Sequence, residues 1–268
     1  MFQSRLWAGL AFLSAGSLFA AAAAPAQKPA PALKIPSGFD LAAEMTALYG
    51  NYDPASRSSS IVAPHGASEP NEKEIVRVFF LDAFRDTDED KILLATYAVP
   101  ATSRFECHAC QPLIGEALFK RSGEAPLKRD ASGWTVEASH QPDFVFGVWG
   151  KPPDAEIFQF GPHHFGIELK VTSRAQGEKA TEICLLVPST GGFGNAYQTD
   201  TEDNNLRGCP PNGTTPCHAS VSLLKFVPGD NPDYYDLLVE SFGTRLTNGA
   251  IEDISYTKHL RFTDGRYF

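Results

Sequence analysis

Five cysteines, Cys107, Cys110, Cys184, Cys209 and Cys217, are the first residues whose types and spacing suggest chemistry. The string Cys-His-Ala occurs twice, in Cys107-His108-Ala109-Cys110 and in Cys217-His218-Ala219. Two Cys–His pairs can supply four ligands to zinc or copper. Covalent haem needs a His directly after the second Cys of C-x-x-C, and Gln111 stands there instead. A thioredoxin-like pair needs its C-x-x-C at a helix N-terminus, where the thiolate is stabilised; here Pro112 and a strand pattern follow. Structural disulfides are therefore the expectation for Cys107, Cys110, Cys209 and Cys217, with no metal or cofactor assigned. Local pairing is preferred, Cys107 with Cys110 and Cys209 with Cys217, over crossed bridges between the two pairs. Closing the Pro/Gly-rich loop between Cys209 and Cys217 is worth about 2–3 kcal/mol on the chain-entropy model. Cys184 lies in the apolar run Ile183-Cys184-Leu185-Leu186-Val187 and reads as a buried free thiol.

Acid–base candidates are sparser. His163-His164 precedes a strand pattern in which His164, Gly166, Glu168 and Lys170 share one face. A His–Glu pair on such a face can move protons, although polar residues there more often meet solvent. The acidic run Asp86-Thr87-Asp88-Glu89-Asp90 begins like a calcium loop, but Lys91 and Tyr97 occupy positions that need Gly and a bidentate Glu. It reads as a solvated hairpin turn. No G-x-S-x-G, H-E-x-x-H or Walker string is present. The longest weakly patterned stretch, residues 188–216, is expected to be a loop. Its Gly-rich aromatic segment makes Phe193, Tyr197 and Asp200 the candidate binding residues.

The elements that must position these residues are mainly strands. One helix is expected over residues 39–49, capped by Ser37 or Asp40, with Leu41, Met45 and Leu48 on one stripe and Gly50 after its last turn. Residues 53–71 read as a loop. Strand patterns follow at residues 75–84, 91–99, 113–120, 134–138, 144–148, 156–160, 165–172, 181–187, 221–227, 235–240 and 254–262, with a further one at Tyr267. No helix-length period recurs between them, which disfavours a parallel βαβ sheet. The expected fold is mainly β (α+β): antiparallel sheets forming a sandwich, barrel or propeller-like meander, with an N-terminal helix. Two stretches, Ile92-Leu93-Leu94-Ala95-Thr96 and Asp236-Leu237-Leu238-Val239-Glu240, each follow a strand and an acidic turn. They resemble hairpins of FG-GAP-type propeller repeats, whose acidic loop binds calcium. Two copies are too few to close a propeller, so both are read as plain hairpins.

The chain opens with Arg5, an apolar segment and small residues up to Ala24, the pattern of a secretory signal peptide cut after Ala24 or Ala26. The expected organisation is a signal peptide over 1–26, a Pro-rich linker over 27–38 and one β-rich domain over 39–268. Formal charge is −9, from 23 Lys+Arg against 32 Asp+Glu. Loss of Arg5, with no acid in the same segment, takes the side-chain charge to −10. A field of that sign repels phosphate backbones and argues against nucleic-acid partners. No later stretch is long and apolar enough to span a bilayer. The functional expectation is an exported, periplasmic or extracellular, bacterial protein that binds an unidentified ligand or envelope protein without catalysis. Two alternatives stand beside it: an envelope hydrolase using dispersed residues such as His163, His164 and Glu168, or a metal-binding protein using the Cys–His pairs.

Overall fold

The computed structural model describes residues 33–62, 73–101, 111–121, 133–209 and 216–268. The segment over 1–26 expected to be a signal peptide, Cys107, His108 and Cys110 lie outside them. One compact unit runs from Leu33 to Phe268. Helix α1 (Leu41–Tyr49) starts at Asp40, whose carboxylate accepts the Ala42 and Ala43 N–H groups at 3.1 Å each. It ends at Gly50, whose φ of 79° is the left-handed cap that glycine adopts without steric cost. Leu41, Met45 and Tyr49 form its buried stripe.

Fourteen strands follow among the described residues. β1 (Ser58–Val62), β2 (Lys73–Asp86), β3 (Glu89–Pro100), β4 (Leu113–Arg121) and β5 (Trp134–Val145) form one sheet in chain order. β6 (Asp154–Gly161), β7 (His164–Ala175), β8 (Glu178–Ser189), β9 (Gly192–Asn204), β10 (Ala219–Pro228), β11 (Tyr235–Thr247) and β12 (Ala250–Leu260) form a second, again in chain order. β13 (Phe262–Thr263) and β14 (Arg266–Tyr267) make a small C-terminal hairpin. Every pairing is antiparallel, so each sheet is an up-and-down meander with no crossover. The mainly antiparallel β expectation holds. The two FG-GAP-like stretches lie in β3 and β11, strands of two different meandering sheets.

Alternation along the strands sorts the core into layers. On β3, Ile92, Leu94 and Ala98 face one way and pack with Phe39, Met45 and Tyr49 of the helical side. Leu93 and Ala95 face the other way and meet Ile167, Leu169, Cys184 and Leu186 of the second sheet. The far face of that second sheet buries Ile183, Leu185, Leu237 and Val239 beneath Phe262 and Tyr267 of the C-terminal hairpin. The layer order is therefore helix, first sheet, second sheet, hairpin.

Three sequence expectations need correction. Residues 192–204 are not a loop but β9, paired to β8 along most of its length. Register shifts opposite Thr181/Glu182 and Leu185/Leu186 break its alternation, which hides the period-two signal. Within the expected loop 53–71, residues 58–62 form β1, an edge strand of mostly serine held by its backbone ladder to β2. Strand pattern 134–138 and the first two residues of 144–148 merge into one bent β5, whose wider irregularity falls at residues 141–143 and a narrower one at Glu137. Pro142 cannot donate to the ladder, so the bend sits where pairing is interrupted.

Candidate functional site

The two sheets part at one end around a cleft of about 600 Å³. The first sheet contributes Phe84, Lys91, Leu118 and Glu137; the second contributes Phe160, His164 and Phe165; the C-terminal region adds Tyr234 and Phe262. The turn Pro162-His163 between β6 and β7 delivers His163 across to the end of β2. There Asp86, only 7% exposed, sits 3.3 Å from His163 Nδ1 and 3.1 Å from Lys91 Nζ. Lys91 also reaches Glu137 at 3.4 Å. Asp86 was expected in a solvated turn. The β2–β3 hairpin is as expected, with Asp86 opposite Glu89, but the Asp86 side chain turns inward to bind a Lys and a His.

Burial works to lower the Lys91 pKa, but hydrogen bonds and charge from Asp86 and Glu137 outweigh it, and the net shift is upward. Lys91 therefore stays an ammonium that neutralises its neighbours. His164 moves the opposite way: burial disfavours its imidazolium and lowers its pKa. Its ring stacks on Tyr234 at 4.5 Å, and Tyr234 lies 4.6 Å from Phe262. Phe84 and Phe165, one from each sheet, meet at 4.7 Å in the same cleft. A polar chain Glu137–Lys91–Asp86–His163 thus lies against an aromatic wall, a combination that fixes a flat ligand by its faces and orients it by one polar end.

The structure brings His163 and His164 to this cleft but not Glu168, which sits opposite Glu156 on β6. Burial, and then the Glu156 charge, raise the Glu168 pKa. Ser189 and Thr190 at the end of β8 line the same cleft as His163. Among the described residues, neither hydroxyl hydrogen-bonds to a histidine.

The other candidates scatter. Phe193 is buried at a second, smaller cavity between the sheets; Tyr197 packs into the core beneath the C-terminal hairpin; Asp200 is exposed on β9. They do not form one loop surface. Cys209 and Cys217 are joined by a disulfide with Cα atoms 5.5 Å apart, and Cys184 is a buried free thiol, as the local pairing expected. The bridge takes the Cys217 sulfur away from the Cys–His metal reading. Its neighbour His218 is buried with Nε2 3.4 Å from an Asp203 oxygen. Among the described residues, no three His, Cys, Asp or Glu gather as an ion site. No helix among them is long and apolar enough to cross a membrane.

Asp86, Lys91 and Glu137 escaped the sequence reading because their partners come from three strands and a distant turn. The one available signal was the acidic run of the β2–β3 hairpin followed at once by Lys91. Comparison with protein families, with curated proteins and with solved structures gives no match.

Proposed function

We propose that the protein is an exported, non-enzymatic binding protein that holds a small ligand in the aromatic cleft, its flat apolar body against Tyr234, Phe262 and Phe165 and a polar end on the Asp86–Lys91–Glu137 chain. The observation that carries this reading is the cleft itself: about 600 Å³, lined by aromatic rings and by the charged Lys91 and Glu137, within the size range of small-molecule sites. With Glu137 and Asp264 beside a single Lys91, itself paired to Asp86 behind it, the lining is net acidic, which favours a neutral or cationic polar end over an anionic one. Export rests on the N-terminal basic–apolar–small pattern and agrees with a disulfide, which persists in oxidising compartments such as the periplasm or the cell exterior. The acidic net charge argues against nucleic acid as partner.

A panel of small aromatic alcohols and amines, followed by NMR of the labelled full chain, tests it. The expected result is a binder that shifts His164, Phe165 and Tyr234 resonances and loses most of its affinity in Tyr234→Ala. A panel with no binder, or a binder indifferent to Tyr234→Ala, removes the reading.

A second reading is favoured by one arrangement. Asp86 engages Nδ1 of His163, which leaves Nε2 to act as base, and two hydroxyls share the cleft. A hydrolase of this kind would lose ester cleavage in His163→Ala and in Ser189→Ala or Thr190→Ala. Cleavage that survives all three replacements excludes the arrangement.

A further inference from the structure

Among the described residues, Glu116 on β4 is the most buried carboxyl, 1% exposed, and neither of its oxygens has a hydrogen-bond partner among them. It lies against a second cavity of about 210 Å³ between the sheets, lined by Glu116, His140, Asp143, Phe144, Leu186, Phe193 and Asn195. The bend in β5 builds this cavity. Glu116 pairs with His140 and Ile114 pairs with Phe144, so residues 141–143 loop out opposite Gly115 alone. A Cβ at Gly115 would meet Pro142 at 2.9 Å, so glycine is what lets the bend close over β4. Bulges of this kind re-aim side chains; here His140 and Asp143 are both turned to the cavity.

The polar groups do not satisfy each other. His140 Nδ1 is 3.3 Å from Asp143 and 3.9 Å from Glu116, within hydrogen-bond reach of only the former. Among the described residues, no Lys or Arg lines the cavity. Asn195 uses its Nδ2 on Gln198 at 2.8 Å, which leaves its amide oxygen as an acceptor. Acceptors on Glu116, Asp143 and Asn195 thus meet apolar walls from Phe144, Leu186 and Phe193.

We propose that this cavity binds a primary ammonium ion carrying a short apolar chain. Three N–H donors match the three acceptors, the positive charge answers two carboxylates, and the hydrocarbon fits against two rings and a leucine. An anion would be repelled by the same carboxylates, and an alcohol would supply one donor and no charge. This site is separate from the aromatic cleft and does not depend on its ligand.

Binding is linked to protonation. Burial, and then the Asp143 charge, push the Glu116 pKa up to about 8, so below that pH the site must release a proton to hold a cation. The groups facing Glu116 are His140 and Asp143 of β5 and Cys184 of β8, whose thiol pKa is raised by burial and then by the Glu116 charge; Tyr49 of α1, on the other face of the first sheet, has its pKa raised chiefly by burial, with the Glu116 charge adding to it.

Calorimetric titration of the full chain with n-butylammonium chloride tests the proposal, with n-butanol as uncharged control. Affinity at about pH 8 should exceed that at about pH 6 by roughly tenfold or more, and butanol should not compete. Glu116→Gln, which preserves shape, should weaken butylammonium at least tenfold at the higher pH and flatten the pH dependence. Asp143→Asn, at the half-exposed rim, should weaken it less while leaving the core untouched. Tyr234→Ala in the other cleft should change nothing. No butylammonium binding at about pH 8, equal binding of butanol, unchanged affinity in Glu116→Gln, or a loss confined to Tyr234→Ala would each overturn it.

Discussion

Replacing Glu116 by Gln should make the fold less sensitive to alkali. In the folded protein the carboxyl holds its proton to about pH 8, against an ordinary value of 4.5, chiefly because burial penalises the carboxylate. The folded state therefore binds more protons than the unfolded chain between these values. Stability falls as pH rises through that window and is flat on either side of it. At about 1.36 kcal/mol per unit, the full difference is on the order of 4–5 kcal/mol, with roughly 3 kcal/mol of it already lost at pH 7. Gln has the shape of the protonated carboxyl and does not titrate. Urea unfolding of both proteins at a series of pH values from about 4 to 9 reads the effect. Near pH 4 the two midpoints should agree closely. As pH rises, the Gln variant should become progressively more stable than the parent, and the gap should level off above about pH 8. Contributions from other groups appear in both proteins and largely cancel in the difference. A gap independent of pH, or one that opens in the opposite direction, would refute the assignment of a proton to Glu116.

Four other changes have defined outcomes. Lys91→Met should destabilise the chain by about 1–3 kcal/mol near neutral pH, because it strips an ion-pair partner from the largely buried Asp86; chemical denaturation should show much of the loss recovered in Lys91→Met/Asp86→Asn. Tyr49→Phe removes the buried 2.8 Å hydrogen bond to Thr96 Oγ1 and should cost about 0.5–1.5 kcal/mol, while Thr96 keeps its bond to the Gly115 carbonyl. Met45→Ala, at a fully buried position under the first sheet, should cost about 2–5 kcal/mol by the same measurement. Cys209→Ser should lower stability by about 2–3 kcal/mol, and non-reducing peptide mapping of the parent should recover a Cys209–Cys217 linked pair with Cys184 alkylated only after unfolding.

What could be read from the sequence divides along a physical line. Strands such as β3 and β8 announce themselves because Leu and Ile run along faces that are both buried, one in each core layer. The helix is legible from Asp40, the Leu41–Met45 spacing and Gly50, all local signals. β9 was not legible because two register shifts break its alternation and most of its side chains are polar. β1 was not legible because its stability comes from a backbone ladder to β2 and from packing above it, and serine carries no pattern for either. The candidate site follows the same rule. His163 and His164 stood out as a pair in sequence, but their partner Asp86 is 77 residues from His163, and nothing local records that approach.

The Gly-rich segment that first suggested a binding loop has a positional role instead. Ser189 and Thr190 line the aromatic cleft, while Phe193 and Asn195 line the Glu116 cavity. The β8–β9 turn between them, Thr190-Gly191, is thus flanked by both sites. On β4, Leu118 borders the first and Glu116 the second; on β5, Glu137 and His140 do the same. β8 does so too, with Ser189 at the first and Leu186 at the second, so both sites draw on the same three strands, displaced by about one pleat. Gly192 is fitted closely here: a Cβ on it would meet the Ser139 carbonyl at 3.0 Å and the His140 ring at 3.3 Å. Its φ of 158° is one that L side chains rarely adopt, so substitution there also strains the backbone. Gly192→Ala should push β9 off the β5 bend and widen the Glu116 cavity. Butylammonium binding should weaken while the ring contacts of Tyr234, carried by other elements, persist. Equal losses at both sites would mean that the turn holds the two sheets together as a whole rather than shaping one cavity.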